Sequence, residues 1–439
     1  MNRSAAQALV VGLGTAVVPL DTSVNIAFPA ITRGFALATA DIQWVVICYV
    51  LTYTALTLAL GRIGDIYGHA RVFRAGLIWN TVALSLCALA PTFAALLVCR
   101  FLQGIAAALI LSCGAALAIS AYSEARRSRA LGLYTMMFAA GLTLGPWIGG
   151  ALVERWDWPA VFAFRVPIAA AALLLSGGLP AAQTAAREPF DFFGAVLLAA
   201  ALTAMLLTFN RIGELAAIPL GLVALALFAG FFRYEARCEN PIIDPSVFRL
   251  PGFAVLNLAN VAINLAAFSV LLLVPFYLTR TDLPLAVSGA ILAVGSLGMA
   301  GTAPIAGRLA GRISPQRLAL AGAALVGLGL LLIATWHNGT PVAWLIATLL
   351  LQGAGLGVFQ LAYTDIVTAT IPPQHRGVAG SLAMVTRTVG TVSAAALVML
   401  LFAYLEAGEG FLGAFRKSFA IAGFLPLIMA VLLALKRNK

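Results

Sequence analysis

Three charged side chains lie well inside apolar runs, where a charge is costly and therefore marks a function or a partner. Asp21, Arg100 and Arg165 belong to segments long enough to cross a membrane. At about 1.5 Å per residue, Asp21 lies about 21 Å into its segment, and all three reach a similar depth in the outer third of a core about 30 Å thick. An acid at such a depth costs roughly 2.5–3.5 kcal/mol on insertion scales. These depths permit a charge cluster.

A buried acid beside arginine has the chemistry of a proton carrier. Our hypothesis is that Asp21 loads and unloads a proton, and that a nearby arginine changes its proton affinity as the protein changes conformation. Gln103 lies one turn after Arg100 and shares its helix face. The alternative is that Asp21 only pairs with Arg100 to hold two helices together. Arg165 has three alternatives: contact with an anionic substrate group, pairing, or snorkelling outward to lipid headgroups.

The composition predicts that lipid is the solvent for most of the chain. Apolar residues make up 62% and charged residues 10%, whereas a soluble domain carries about 25% charged residues. The net charge of +11 is scattered through short loops, which favours membrane orientation over nucleic-acid binding. The sequence has no CxxC or CxxH pair, no nucleotide loop and no nucleophile–base pair. We therefore predict a protein that is not an enzyme and has no metal or cofactor.

The apolar runs predict fourteen transmembrane helices and an all-α polytopic membrane protein. An even number places both termini on one side. About three times as many loop arginines and lysines fall on that side as on the other, which predicts cytoplasmic termini in an inner or plasma membrane. We interpret the first run as an uncleaved span. The predicted spans are 7–30, 42–60, 72–90, 92–119, 130–152, 159–180, 191–209, 215–233, 252–278, 285–306, 318–336, 341–364, 378–403 and 413–435.

An internal repeat divides the predicted spans. The polar, Gly-punctuated stretch 61–71 predicts a short loop at the membrane surface, and a degraded copy occurs at 307–317, after 246 residues. Gln103-Gly104 returns as Gln352-Gly353 at nearly the same offset. Internal repeats are typical of secondary transporters. The predicted organisation is two six-helix halves and a central inserted helix pair. The corresponding domains are 1–182, 183–250 and 251–439.

These motifs resemble a known family. The stretch 61–71 resembles the loop between helices 2 and 3 of the major facilitator superfamily. Several further motifs resemble the fourteen-helix drug:proton antiporters of that superfamily (Emr/Qac-type multidrug exporters), although Arg165 stands where that family usually has Asn. The motifs are Leu20-Asp21-Thr22-Ser23-Val24-Asn25-Ile26-Ala27-Phe28-Pro29, Gln43-Trp44 with Tyr49 and Leu51, Arg100-Phe-Leu-Gln103-Gly104, Gly141-x-x-x-Gly145-Pro146-x-x-Gly149-Gly150, and Trp158-x-x-x-Phe162-x-x-Arg165-x-Pro167.

The resemblance implies a major facilitator fold with a latch and a gate. By resemblance, Arg100 takes part in proton transfer. Asp65, with Gly61 and Gly68 around it, would meet the N-terminus of helix 11, and Arg71 or Arg129 would share this latch. A gate that limits leak is implied for helix 5 at Gly141, Gly145, Pro146 and Gly149. Tight helix packing alone is compatible with the same glycine spacing.

The resemblance also implies a substrate cavity lined by helices 1, 4, 7 and 10. A largely apolar cavity with one acid suits an amphipathic cation, and two nearby arginines keep anions in consideration. A structural or gating role is the favoured alternative for Arg387. The candidate cavity residues are Asn25, Tyr49, Gln103, Arg165, Asn260, Asn264, Phe268, Phe359 and Arg387.

The predicted function is proton-coupled secondary active transport. The protein would export small amphipathic or hydrophobic compounds by alternating access in exchange for protons. Its partners would be a small-molecule substrate, protons and the lipid bilayer, with no nucleic acid, and it would function as a monomer. The alternatives are a dedicated metabolite or lipid exporter of the same fold, including one for an anionic substrate, and a sensor that does not transport.

Overall fold

The computed structural model describes residues 3–120, 127–179, 191–211, 215–238, 241, 252–310, 313–370 and 376–437. These residues divide into two compact units. The first contains Met1–Leu37, Trp44–Ala195 and Pro284–Ala290, and the second contains Ala38–Gln43, Val196–Leu283 and Ile291–Lys439. The described residues of the chain form helices joined by turns and short connections. The helices are α1 (Arg3–Ala16), α2 (Ser23–Gly34), α3 (Gln43–Tyr67), α4 (His69–Ala88), α5 (Phe93–Ser120), α6 (Arg127–Trp156), α7 (Ala160–Ala163), α8 (Arg165–Leu175), α9 (Phe192–Asn210), α10 (Ala217–Glu235), α11 (Phe253–Leu278), α12 (Leu285–Ala310), α13 (Pro315–Ile333), α14 (Val342–Thr370) and α15 (Arg376–Arg437).

The core of the first unit lies where α4 and α5 pack together and where α1 meets α5, α6 and α8. Its centre includes Val11, Phe73, Leu77 and Ile110, which are fully buried. Because these side chains come from helices with little polar surface, their contacts replace lipid contacts, and close packing holds the unit together.

The second unit is built on two helix pairs, α11 with α15 and α13 with α14, and α13 also packs against α15. Tyr277, Trp336 and Phe415 stack together, with ring centroids 5.0–5.9 Å apart. The ring of Phe415 also lies 4.7 Å from the ring of Phe419. These aromatic contacts fix the ends of α11 and α13 against α15.

The helices α9 and α10 correspond to the predicted central pair. In the most apolar stretch of α10, only 11% of the residues are buried against the rest of the protein. The corresponding share for α9 is 35%. Their surface therefore needs an apolar solvent, as expected for helices that face lipid. The three-part domain division stays a prediction.

Twelve segments within the described residues are long and apolar enough to cross a membrane, so the predicted count of fourteen is not supported. The difference arises at two places. The helix α4 does not qualify, and its first turns carry Arg71 and Arg74. The last two predicted spans are joined in α15, where only Gly410 departs from helical geometry, with φ 69° and ψ 175°.

The predicted loop at 61–71 is wrong. The helix α3 continues to Tyr67 and α4 begins at His69, so a single residue, Gly68, makes the turn. Its φ of 95° is a conformation that glycine adopts without strain. The surroundings of Gly61 and the side chains of Asp65 and Arg129 lie outside what the structure describes, and the latch assigned to these residues stays a prediction. Arg71 is exposed at the start of α4.

The first predicted span is not one helix. The helix α1 ends at Ala16, a 3-10 turn runs over Pro19–Thr22, and α2 begins at Ser23. Pro19 has no N–H to continue an α-helix, and the tighter turn appears as Val18 N donating to Thr15 O at 3.1 Å and Asp21 N donating to Val18 O at 3.0 Å. Such 3-10 stretches within a helical run often mark functional hinges. Asp21 therefore lies in the break itself.

Candidate functional site

Asp21, Arg100, Gln103 and Arg165 meet inside the first unit, and we call these four residues the Asp21 cluster. Arg100 holds both oxygens of the carboxylate, with Nη1 to Oδ1 at 2.7 Å and Nη2 to Oδ2 at 2.8 Å. Arg165 Nη1 donates to Oδ1 at 2.6 Å, and Gln103 Nε2 donates to the same oxygen at 3.1 Å. The side chains are nearly enclosed: Arg165 is 0% exposed, Arg100 2% and Asp21 12%.

Each arginine of the Asp21 cluster is fixed by its own surroundings. Arg100 Nε donates to the carbonyl of Val45 on α3 at 2.9 Å, and its guanidinium carbon lies 4.2 Å from the ring centroid of Tyr49. Arg165 Nε donates to the carbonyl of Val161 at 3.0 Å. The ring of Phe162 lies 5.8 Å from the guanidinium of Arg100 and 5.5 Å from that of Arg165. Aromatic faces next to guanidinium groups offset part of the cost of burying charge.

The structure excludes one of the three alternatives for Arg165. It does not snorkel, because it is fully buried at the start of α8 and bonds Asp21. The predicted span 159–180 is divided between α7 and α8 at Phe164, which places Arg165 at a helix end beside the break in the first span. The cluster contains two guanidinium groups and one carboxylate, so its net charge is +1 when Asp21 is ionised.

The glycines of α6 pack on the segment that carries Asp21. A Cβ atom at Gly141 would lie 2.8 Å from Ala16 O, and one at Gly145 would lie 2.2 Å from Thr22 Oγ1. A Cβ at Gly149 would lie 2.8 Å from Ser23 O. Only glycine permits this approach, so the glycine face of α6 holds the broken segment in place. The spacing of the glycines predicted that α6 packs closely against another segment, and the structure identifies that segment as the one that carries Asp21.

The C-terminal part of α6 also contacts the first turns of α12, which belong to the same unit. A Cβ at Gly289 would lie 2.2 Å from the carbonyl of Pro146. Glu154 Oε2 accepts a hydrogen bond from Ala286 N at 3.0 Å. A carboxylate at a helix N-terminus accepts a hydrogen bond from a backbone N–H that has no partner within the helix. Its negative charge is also stabilised by the positive end of the helix dipole.

The remaining predicted cavity residues are distributed over both units. Asn25 and Tyr49 are buried in the first unit, and Tyr49 donates to Val18 O at 3.4 Å. In the second unit, Phe268 is half-buried on α11 and Arg387 is exposed on α15. Phe359 is fully buried where α13 approaches α14, since a Cβ at Gly322 would lie 2.8 Å from Phe359 Cβ. This position favours a packing role for Phe359.

Asn260 and Asn264 belong to an uncharged hydrogen-bond network in the second unit. Asn264 Nδ2 donates to Asn260 Oδ1 at 2.9 Å, and Gln360 Nε2 donates to Asn260 Oδ1 at 3.1 Å and to Asn264 Oδ1 at 3.2 Å. Asn260 Nδ2 donates to Thr386 Oγ1 at 2.8 Å. Tyr363 donates its hydroxyl to Asn257 Oδ1 at 2.8 Å. The network connects α11, α14 and α15, and sequence reasoning found only two of its six residues.

We expect Asn260→Leu to lower stability, because it removes the acceptor for two amides and the donor to Thr386. Each buried polar group left without a partner costs about 1–3 kcal/mol. Thermal unfolding in detergent measures the effect. Asn80→Leu on α4 is the matched control, because Asn80 is also buried and its Nδ2 donates to none of the described residues. Equal unfolding temperatures for the two variants would contradict the prediction.

Comparison with known proteins identifies what this chain resembles. The sequence profile of the Major Facilitator Superfamily matches residues 11–234 and 254–439. The Riboflavin transporter RibZ of Clostridioides difficile (strain 630) is 29% identical over 98% of each chain. The Multidrug resistance protein Stp of Mycobacterium tuberculosis (strain CDC 1551 / Oshkosh) is 30% identical over 93% of this chain and 78% of its own length.

Solved structures agree on the fold. A crystal structure of a POT family transporter in complex with 5-aminolevulinic acid superposes with a TM-score of 0.76 at 15% identity, covering 98% of this chain and 95% of the other. At this level of identity the likeness concerns the fold alone.

Proposed function

The chain belongs to the Major Facilitator Superfamily, and we propose that it is a proton-coupled secondary transporter that exports small amphipathic compounds in exchange for protons. The observation that carries this proposal is the Asp21 cluster: one carboxylate, held by two buried arginines, at a break in the first helical run. An ionisable residue at membrane depth is expensive and is typically part of an ion or substrate pathway.

The coupling we propose uses the exchange of partners on Asp21. While Arg100 and Arg165 hold the carboxylate, the acid is ionised and paired. A movement of the broken segment that separates Asp21 from either arginine changes its proton affinity, since the arginines favour the charged form. The α6 glycines support this step because they touch the residues on both sides of Asp21. Protonation is thereby linked to helix movement, as alternating access requires.

The driving force is sufficient for accumulation against a gradient. Each inward proton supplies about 2.3 kcal/mol per 100 mV of membrane potential and about 1.36 kcal/mol per pH unit. We also infer cytoplasmic termini, from the arginine and lysine bias of the loops.

We retain fourteen crossings as a proposal. The helix α4 has 20 residues, about 30 Å of length, which is enough to span the hydrocarbon core despite its arginines. The helix α15 has 62 residues and turns at Gly410, so it is long enough for two crossings.

A second candidate function is the transport of one dedicated metabolite. Its support is the similarity to a riboflavin transporter across nearly the whole of both chains. The net positive charge of the Asp21 cluster also supports it, because it does not suit the lipophilic cations that we otherwise expect of a drug exporter.

The test is proton movement coupled to transport in liposomes that contain the purified protein and a trapped pH indicator. The panel consists of lipophilic cations, anions and zwitterions. We expect that any compound that is transported moves protons across the membrane with it. Transport without proton movement would replace the proposal with a uniporter, and a protein that binds but transports none of the panel would favour the sensor.

A further inference from the structure

The Asp21 cluster has more hydrogen-bond donors than acceptors, and its two positive charges face one negative charge. Oδ1 of Asp21 accepts from Arg100, Gln103 and Arg165 at 2.6–3.1 Å. Arg165 Nη2 is buried and donates to no group in the described part of the chain. Two guanidinium groups against one carboxylate leave a net charge of +1 in a nearly enclosed site. A buried, incompletely paired cation is strongly unfavourable unless a further partner is provided.

The two arginines do not have equivalent roles. Arg100 engages both carboxylate oxygens and also donates to Val45 O and Gln103 Oε1. Its pairing with Asp21 is therefore complete without Arg165. Arg165 gives one N–H to an oxygen that already has two other donors, and it keeps Nη2 free. Arg165 is the residue that can take a second anion while the Asp21–Arg100 pair stays intact.

We propose that Arg165 binds an anionic group, such as a carboxylate, on the transported molecule, and that the site discriminates against lipophilic monocations. This inference rests on the proposed function in one respect, namely that the Asp21 cluster belongs to the transport pathway. A second carboxylate would neutralise the cluster and supply acceptor oxygens for the free N–H groups, since Arg and carboxylate pair through two parallel hydrogen bonds.

The side chains around the Asp21 cluster indicate the chemical character of the rest of the transported compound. The rings of Tyr49 and Phe162 flank the guanidinium groups and are themselves buried, so a movement that opens the site would present an aromatic surface to a flat apolar body attached to the anionic group. Asp21 is the more exposed member of its pair with Arg165, at 12% against 0%. We therefore infer that the anion approaches Arg165 from the side of Asp21. It binds after Asp21 Oδ1 has released the Arg165 guanidinium.

The experiment compares two dyes with the same xanthene scaffold and opposite charge, the anion fluorescein and the cation rhodamine 123. Binding to the purified protein in detergent is measured by fluorescence polarisation. We expect wild type to bind fluorescein more tightly. Arg165→Gln should weaken fluorescein binding by at least about tenfold, the effect of losing a charge-assisted hydrogen bond, and should favour rhodamine 123. Arg165→Lys, which keeps the charge, should lose less.

Arg155→Gln is the matched control, because it removes one arginine from an exposed position in the same unit. It should leave both affinities unchanged. Thermal unfolding of each variant confirms that it is folded. A wild-type preference for rhodamine 123, or fluorescein binding that is the same in Arg165→Gln, would overturn the inference, and the first of these results needs no variant.

The result is separable from the test of the proposed function. Fluorescein binding that depends on Arg165, in a protein whose transport moves no protons, would reject proton coupling and keep the anion site. Proton-coupled transport of rhodamine 123 that is insensitive to Arg165→Gln would keep the proposed function and reject the anion site.

Discussion

Reconstituted Asp21→Asn protein will lose transport driven by a pH gradient, down to the level of empty liposomes, while it still exchanges labelled substrate across the membrane at equal concentrations on both sides. The reason is that Asn keeps the size and acceptor oxygen of Asp21 but cannot carry a proton. Alternation of the protein is then uncoupled from proton flow rather than stopped. Parallel assays of gradient-driven uptake and equilibrium exchange measure the two activities separately.

Two further variants test whether the loss of gradient-driven transport is specific to the acid at position 21. Asp41→Asn removes an exposed acid next to the start of α3 and should leave gradient-driven uptake unchanged. The double variant Asp21→Asn with Arg165→Gln also lacks the proton-carrying acid but has the wild-type cluster charge of +1, so it should be folded and should also lose gradient-driven uptake. Full gradient-driven transport by Asp21→Asn at normal abundance would show that Asp21 only holds α5 against the first helical run.

Depth along a span can be calculated from sequence, and for that reason the Asp21 cluster was foreseeable. Helix rise fixes how far Asp21, Arg100 and Arg165 lie from the ends of their spans, and equal depth is a necessary condition for contact. Depth is one coordinate only, however. It did not show that Arg165 pairs with Asp21 rather than reaching the headgroups, because that depends on which way α8 faces.

Local backbone breaks were less predictable, because hydropathy averages over them. The apolar run 7–30 predicted one helix, yet Pro19 produces a 3-10 turn at Asp21. The polar stretch 61–71 predicted a loop, yet α3 continues to Tyr67 and a single glycine turns the chain. Polarity indicates where a segment lies relative to lipid, and it does not by itself end a helix.

The uncharged network of the second unit was largely missed, for a different reason. Asn260 and Asn264 were found because they share a face of α11 at i and i+4. Gln360 and Tyr363 share a face of α14 in the same way, at i and i+3, which was the available signal. That α14 and α15 bring Gln360 and Thr386 to Asn260 depends on helix packing, and spacing within one helix contains no information about it.

The second large effect concerns stability, and it follows from the charge of the Asp21 cluster. Asp21→Asn leaves two buried guanidinium groups with no anion, and we expect a loss of about 3–5 kcal/mol in the free energy of unfolding, as when one partner of a buried ion pair is removed. Arg165→Gln instead reduces the cluster to a neutral Asp21–Arg100 pair, so we expect little loss or a gain. Thermal unfolding in detergent measures both.

The combined variant decides whether charge is the cause. If the excess positive charge destabilises Asp21→Asn, adding Arg165→Gln must recover part of the loss, and the double-mutant cycle will show a coupling energy of about 0.5–3 kcal/mol. The single replacements Asp41→Asn and Arg155→Gln at exposed positions provide the control, with effects within about 0.5 kcal/mol each. Additive losses from Asp21→Asn and Arg165→Gln would mean that each side chain stabilises its own helix through packing, and that the buried charges of this cluster do not act on one another.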